Sequence, residues 1–249
     1  MRPALLLAQE EYKLPDEVVG NEFLNLENQK ISTSRNYAVW VHDLVEILEP
    51  DQIRNYLIHC IPENKDTNFS VDEFVERNNH IAGSLGNFLN RLVVLYQRNF
   101  NGQVAHPDVA NIAPEYLIDM HQLSEEVENK LHRYKIREAY TDLMKVIKLF
   151  NQNYQAAELR NLVKTDPKAA HNLLNLYSLY MVQFGILLAP FLPRTAEKIL
   201  QIYSLHEKGY GYRDIGTMQL EHVSLEGEYT HLFQKLTKSD LEGVFPPGK

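Results

Sequence analysis

The chain has 249 residues, 44% hydrophobic and 23% charged, so it is long and apolar enough to bury a full core. Its net charge of −8 argues against indiscriminate binding to nucleic acids or membranes, which needs a basic excess. One cysteine excludes a disulfide framework and a four-cysteine zinc site, and no apolar run reaches the roughly 18 residues of a membrane span. The first eight residues are too short for a secretory signal, so we expect a cytoplasmic protein with no membrane association.

The first forty residues predict strand and loop. Val18-Val19 and the stretch from Glu22 to Leu26 are typical of strands, and Glu27 to Asn36 is predicted to be a polar loop. A long helix is predicted from Ser70 to about Phe100, where apolar residues recur at i, i+3/i+4 and i+7. Ser70 and Glu73 have the spacing of a capping box, which predicts where this helix begins.

Four more helices are predicted farther along the chain. Their ranges are Pro114 to about His132, about Lys135 to Tyr154, Asp166-Pro167 towards Pro190, and a shorter helix after Pro193. The tail from His206 is rich in turn residues, and we expect it to pack as irregular structure. Helices of this length with short connections form antiparallel bundles, so the fold class is mainly α.

The loop Lys30-Ile31-Ser32-Thr33-Ser34-Arg35 is the first candidate site. Two cations flank a run of hydroxyl groups, a composition that suits contact with phosphate oxygens. The alternative is an ordinary solvated loop.

A polar stripe on the long helix is the second candidate site. At 100° per residue its members lie within about 60° of one another; they are His80, Ser84, Asn87, Arg91 and Arg98. Asn87 and Arg91 are one turn apart, and an amide with a guanidinium can bind the edge of an unstacked base and stack against it. The alternative is a solvated helix face. Residues 99–129 hold six acids and no lysine or arginine, so an RNA backbone would avoid them.

Other chemistry finds no support in the sequence. The ten histidines have no metal-ligand spacing, so we expect no metal site. There is no P-loop, no dinucleotide-binding glycine pattern and no nucleophile elbow. Tyr177, Tyr180 and Phe184 have helical spacing and are predicted to lie in the core rather than to stack on a ligand.

Several segments, in a fixed order, carry a resemblance to a known family. They include Leu14-Pro15-Asp16-Glu17, the loop from Lys30 to Asn36, Leu85-Gly86-Asn87-Phe88-Leu89-Asn90-Arg91, Leu162-Val163-Lys164-Thr165-Asp166-Pro167 and Leu188-Ala189-Pro190-Phe191-Leu192-Pro193. The chain resembles the C-terminal part of methionyl-tRNA synthetases, a family of class I aminoacyl-tRNA synthetases. Lys30, Ser32 and Ser34 match the K-M-S-K-S loop of that class, with Thr33 in place of its second lysine.

The resemblance implies a domain order. Residues 1–40 would be the end of an α/β nucleotide-binding domain with its signature loop, and 41–69 a connecting segment that contacts the tRNA stem. Residues 70–205 would be an anticodon-binding helical bundle of the class I type, and 206–249 an extension packed on it.

The resemblance also implies site roles. The loop would lie over the phosphates of ATP, with Lys30 and Arg35 as phosphate ligands and Lys30, Ser32 and Ser34 stabilising charge as pyrophosphate leaves. Asn87 and Arg91 match the residues of the family that contact the anticodon. Arg160 stands where the family has the tryptophan of a Pro-Trp pair, and its guanidinium can stack on a base.

We therefore expect the tRNA-binding part of a methionyl-tRNA synthetase, with methionine tRNA as partner and a catalytic domain supplied in cis or in trans. The chain has no H-I-G-H-type motif, so we expect it neither to aminoacylate nor to bind ATP tightly alone, although the intact enzyme would use ATP. The replacements at Thr33 and at Leu159-Arg160 motivate an alternative, a free-standing paralogue that binds another tRNA or a protein. A third possibility is a helical interaction protein with no RNA role.

Overall fold

Helices dominate the computed structural model, which describes residues 15–220, 223–225 and 232–245. In chain order they are α1 (Val41–Ile47), α2 (Pro50–His59), α3 (Val71–Ile81), α4 (Asn87–Asn99), α5 (Met120–His132), α6 (Ile136–Ala156), α7 (Leu159–Thr165), α8 (Pro167–Leu188) and α9 (Pro193–Ile202). A π-helical turn, Ala82–Gly86, joins α3 to α4 without a break. The prediction of a mainly α bundle is confirmed.

Short strands form the edge of the molecule that precedes the bundle. Strand β1 (Leu24–Leu26) lies between β2 (Gln29–Lys30), which is antiparallel to it, and β3 (Thr67–Phe69), which is parallel. Strands β4 (Gln103–Val104) and β5 (Val223–Ser224) pair separately. The predicted strand at Glu22 to Leu26 is therefore confirmed in its second half.

The strand prediction at Val18-Val19 is wrong. Both valines lie in irregular chain, and their exposed fractions are 85% and 52%, so no neighbouring strand covers them. The predicted polar loop from Glu27 to Asn36 contains β2 and a 3₁₀ turn, Thr33–Arg35. The alternation of apolar and polar residues was too short in both places to specify pairing, and β2 forms by pairing across the turn with β1.

Helix α8 forms the centre of the larger hydrophobic core. Every residue from 173 to 188 is buried, including the predicted core residues Tyr177, Tyr180 and Phe184. The Phe150 ring of α6 packs against the rings of Phe88, Tyr177, Tyr180 and Phe184, with centroids 4.9–5.5 Å apart. Helices α4, α5, α6, α7 and α9 surround α8 and complete the bundle.

A second, smaller core joins the strands to the bundle. Tyr56 of α2, Phe69 of β3 and Phe74 of α3 pack ring against ring, with centroids 4.7–5.5 Å apart. Leu236 and Leu241, from the C-terminal part of the chain, belong to the same cluster.

The domain boundaries at residues 40, 69 and 205 remain predictions.

The helices predicted from Ser70 and Asp166 begin where the sequence predicts, and the helix predicted from Pro114 begins later. Asp166 caps α8 by accepting a hydrogen bond from the Ala169 amide at 3.0 Å, as the Asp-Pro pair predicts. The capping box at Ser70 and Glu73 does not form. Helix α3 does begin at Val71, but Glu27 accepts from the Val71 amide at 2.7 Å instead.

The Tyr56 hydroxyl bonds to the two groups that would have bonded to each other in the capping box, the Ser70 amide and the Glu73 carboxylate. It accepts from the Ser70 amide at 3.0 Å and donates to the Glu73 carboxylate at 3.2 Å. The helix predicted from Pro114 begins only at Met120, behind the cap Asp119, because Pro114–Tyr116 form a separate 3₁₀ turn. Across the described ranges, no helix has both the length and the apolar character that crossing a bilayer requires.

Candidate nucleic-acid interface

The loop predicted from sequence follows a tight hairpin. Glu27 and Asn28 join β1 to β2, and both have positive φ (46° and 60°), as a two-residue turn of type I′ requires. After β2, Ser32 and Tyr37 exchange backbone hydrogen bonds of 2.8 and 2.9 Å and close the loop. The Tyr37 hydroxyl donates to the Leu26 carbonyl at 3.0 Å, which ties the loop to β1.

The polar side chains of the loop have few partners. The hydroxyls of Ser32 and Ser34 lie 3.2 Å apart, and the Arg35 guanidinium donates to the Lys30 carbonyl at 3.5 Å. The Lys30 ammonium lies 5.3 Å from the ring centroid of Phe23. The predicted loop residues, including Thr33, are exposed or nearly so. Hydroxyl and cationic groups are thus available to an anion on this side of the hairpin.

Arg91 is the best-anchored cation of the long helix. Its Nε donates to the Asn87 carbonyl at 3.3 Å, one turn earlier, and its Nη2 donates to Asn151 Oδ1 of α6 at 2.5 Å. Its guanidinium carbon lies 5.2 Å from the ring centroid of Tyr154. Asn87 is exposed, and its side-chain amide has no hydrogen-bond partner among the described residues. The predicted pair therefore combines a fixed guanidinium with a free amide.

Two clefts meet at Arg91. The amide cleft, about 320 Å³, is lined by Gly83, Asn87, Asn90, Arg91, Asn151 and Gln155. The arginine cleft, about 610 Å³, shares Asn90, Arg91 and Gln155 with it and continues to α7. Four carboxamides thus surround one cation, an arrangement that offers both donors and acceptors to the edge of a base.

Arg98 and Arg160 line the arginine cleft together with Arg91. Arg160 stands on α7, a helix that the sequence analysis did not predict, and Glu158 precedes it in the left-handed backbone region (φ 43°). Glu158 contributes a carboxylate to the cleft, and this carboxylate accepts from the Asn161 amide at 2.9 Å. The three predicted residues Asn87, Arg91 and Arg160 therefore line one continuous surface.

Burial and charge act in opposite directions on Tyr154 beneath this surface. Burial raises the pKa of the phenol, and the positive charges of Arg91 and Arg160 lower it. Both arginines are thus close enough to act on one buried ring.

The stripe predicted on the helix is only partly continuous. His80 lines a different cleft, and the Ser84 hydroxyl donates back to the Ile81 carbonyl at 3.4 Å within the π turn. Gly83, not Ser84, lines the amide cleft. Asn151, Tyr154 and Gln155 of α6 were missed as site residues. The signal was present, since Asn151 lies on a predicted helix and Gln155, also polar, follows one turn later, just beyond the predicted end of that helix.

The loop and the two clefts are separate. No hydrogen bond or ion pair between the described residues joins Lys30, Ser32, Ser34 or Arg35 to Asn87, Arg91 or Arg160. In the described ranges, no three histidine, cysteine or carboxylate side chains cluster as metal ligands do.

Comparison with known proteins identifies the family. Residues 1–93 match the family of tRNA synthetases class I (M), and residues 115–237 match the anticodon-binding domain of tRNA ligase. With the helical fold, these matches define the class as class I aminoacyl-tRNA synthetases. Methionine–tRNA ligases of Flavobacterium psychrophilum and Bacteroides fragilis are each 36% identical, over 86% and 96% of this chain. The chain belongs to the methionyl-tRNA synthetase family and corresponds to its C-terminal region.

Solved structures support the fold. Methionyl-tRNA synthetase of Mycobacterium tuberculosis superposes with a TM-score of 0.79 in its free state and 0.78 in complex with methionyl-adenylate, at 21% identity. The match covers 94% and 93% of this chain and 46% of each of those chains. The chain spans about a third of the curated relatives, 32% and 36% of their lengths.

Proposed function

We propose that this chain is the tRNA-binding part of a methionyl-tRNA synthetase, which reads the anticodon in the amide and arginine clefts. The observation that carries the proposal is the anchoring of Arg91. Three contacts hold its guanidinium at the junction of the two clefts, so little side-chain entropy remains to be lost when a base binds. The adjacent Asn87 amide is free to hydrogen-bond to the edge of that base.

The charge distribution supports this surface over others. The chain carries −8 overall, yet the arginine cleft holds three arginines and one glutamate. The acidic residues from 108 to 128 belong mainly to α5 and to the segment before it, which line neither cleft. A polyanion would therefore be attracted to the side of α4 that faces α6 and α7.

For the loop we propose contact with the phosphates of ATP. Lys30 and Arg35 would supply positive charge, and Ser32 and Ser34 hydroxyl donors, while Thr33 offers a hydroxyl where the signature has its second lysine. Aminoacylation would need catalytic residues beyond these, since the chain spans about a third of its relatives. We propose that a catalytic domain in cis or in trans provides them.

The experiment is a binding titration with methionine tRNA and with the same tRNA carrying a substituted anticodon. We expect the chain to bind methionine tRNA and to lose affinity when the anticodon is changed. Arg91→Ala is expected to weaken binding by about 5- to 150-fold, about 1–3 kcal/mol, because it removes a guanidinium fixed at the binding surface. Nitrocellulose filter binding at fixed salt measures both effects.

Lys208→Ala is the matched control, because Lys208 is exposed on the C-terminal extension and lines neither cleft. Its affinity should remain that of the unchanged chain. Absence of tRNA binding at low salt would contradict the proposal. Equal binding of all tRNAs, unaffected by anticodon changes, would favour the paralogue that binds RNA without reading methionine anticodons.

A further inference from the structure

The clefts that meet at Arg91 extend towards the opposite end of the long helix. A third cleft, about 330 Å³, lies between α2, α3 and α6, and we call it the cationic cleft. On the long helix the lining passes from Arg77 and His80 to Gly83 and Asn87. On α6 it passes from Lys148 to Asn151. These steps are three or four residues, one helical turn, so the clefts follow one seam between two helices.

The seam changes character along its length. Its middle is lined by carboxamides, its α7 end by Arg91, Arg98 and Arg160, and its α2 end by Arg77, His80 and Lys148. Arg77 and Lys148 are exposed, and neither forms an ion pair with any described residue. An amide-lined centre with cations on both sides suits one strand of RNA, with bases in the middle and phosphates at the ends.

The acids near the cationic cleft are mostly engaged elsewhere. Glu73 accepts from the Tyr56 hydroxyl at 3.2 Å. Asp142, on the same side of α6, accepts from Lys130 at 2.6 Å and from Lys145 at 2.8 Å, and these hydrogen bonds lower its pKa. Glu76 is the remaining carboxylate in the lining of this cleft.

Burial and positive charge act in the same direction on His59 at the base of the cleft. Burial lowers the pKa of the imidazole, and the charges of Arg77 and Arg137 lower it further, against the opposing charge of Glu73. Arg137 is paired with Glu63 at 3.9 Å, so Arg77 is the one of these two arginines that forms no ion pair with a described residue.

We propose that Arg77 and Lys148 bind the sugar–phosphate backbone of the same RNA strand whose bases enter the amide cleft. The inference rests on the proposed function and adds a second contact to it, one that contributes affinity without reading sequence. Arg77 and Arg91 are fourteen residues apart on one nearly continuous helix, a separation of about 20 Å. The two contacts therefore lie on different nucleotides, and the backbone contact fixes the direction in which the strand crosses the seam.

The test is a salt titration of tRNA binding by the double variant Arg77→Ala/Lys148→Ala of the full chain. We expect affinity at low salt to fall roughly tenfold, and the slope of log K against log salt to become shallower by about one for each cation removed. Methionine tRNA and its anticodon-substituted form should weaken by the same factor, because phosphates carry no sequence information.

Two single variants complete the test. Glu76→Gln removes the remaining carboxylate of the cleft and should strengthen binding, whereas Lys208→Ala changes charge outside the seam and should have no effect. A double variant with unchanged affinity and salt slope overturns the inference while the anticodon effect of Arg91→Ala still stands. A double variant that loses anticodon discrimination also overturns it, since that result assigns base contacts to these cations. If the unchanged chain binds no tRNA, the proposed function itself fails.

Discussion

The signature loop and the helix seam both carry cations and hydrogen-bonding groups, but the protein holds them differently. In the loop the backbone is fixed by the hairpin and by the bonds between Ser32 and Tyr37, while the side chains contact little beyond one another. In the seam Arg91 is fixed by a carbonyl, a carboxamide and an aromatic ring. The Arg91 guanidinium therefore has a fixed position, whereas the loop is fixed mainly in its backbone.

This difference indicates how each region would gain affinity. A fixed guanidinium loses little entropy on binding, so its contacts contribute nearly in full. Exposed lysine and arginine side chains lose up to about 2 kcal/mol of rotamer freedom when they are ordered. If both proposed roles hold, we expect the loop to be ordered by a ligand of high charge or by a second protein surface, and the seam to bind a single strand without such ordering.

The largest effect should come from the core beneath the seam. Phe150→Ala is expected to lower the free energy of unfolding by about 3–5 kcal/mol, because four neighbouring rings would surround the cavity it leaves. Urea unfolding followed by circular dichroism measures this loss. Leu149→Ala is the control, since Leu149 is 52% exposed and its truncation should change stability by at most about 0.5 kcal/mol. Equal losses in both variants would contradict the assignment of Phe150 to a packed core.

A smaller effect of opposite sign is expected at Gly83. An added Cβ would meet no atom within 4 Å, so Gly83→Ala should stabilise the π turn by about 0.5–1 kcal/mol. Gly83→Gln should fold as well but fill the amide cleft and weaken tRNA binding. Gly185→Ala is the matched control and should destabilise, because its Cβ would lie 3.0 Å from Ile199 Cγ2. Undiminished tRNA binding by Gly83→Gln would show that no anticodon base enters the amide cleft.

The smallest effect should come from the loop. Lys30→Ala is expected to change the free energy of unfolding by less than about 0.5 kcal/mol and to leave tRNA affinity unaltered, because Lys30 is exposed and, in the part of the chain that the structure describes, its side chain lies near the Phe23 ring alone. Thermal unfolding and filter binding on the same preparation measure both quantities. A loss above about 1 kcal/mol would show that the loop is held by its side chains, and the contrast with the seam would disappear.

Periodicity in the sequence was sufficient for the long helices. The ranges predicted from about Lys135 and from Pro167 differ by at most two residues from α6 and α8, because each buries a continuous apolar face. Helices α1, α2 and α7 were missed because seven to ten residues give few turns for a period to emerge, whereas the ten-residue α9 was predicted from the position of Pro193. The π turn was missed because the apolar period predicts a helix through residues 82–86 and does not distinguish a π turn from the α form.

Contacts between segments that are distant in the sequence could likewise not be predicted from local residue patterns. Ser70 and Glu73 satisfied the local rule for a capping box, yet the Ser70 amide donates to Tyr56, 14 residues away, and the next amide, of Val71, donates to Glu27, 44 residues away. The pairing of Asn87 with Arg91 was predicted from helical spacing and is confirmed as an adjacent pair. The partner Asn151, 60 residues from Arg91, could be found only once α6 was placed beside α4.

The hydrogen bond from the Val71 amide to Glu27 has a mechanical consequence. Glu27 is the first residue of the hairpin turn that leads into the signature loop, so the helix that bears the seam starts on the support of that loop. Twenty residues separate Val71 from Arg91, and this length of helix, about 30 Å, sets the distance between the hairpin and the seam. One inserted residue would rotate the seam by about 100° relative to the hairpin and move it by about 1.5 Å. The length of this helix therefore determines where Arg91 lies relative to the hairpin and in which direction it points.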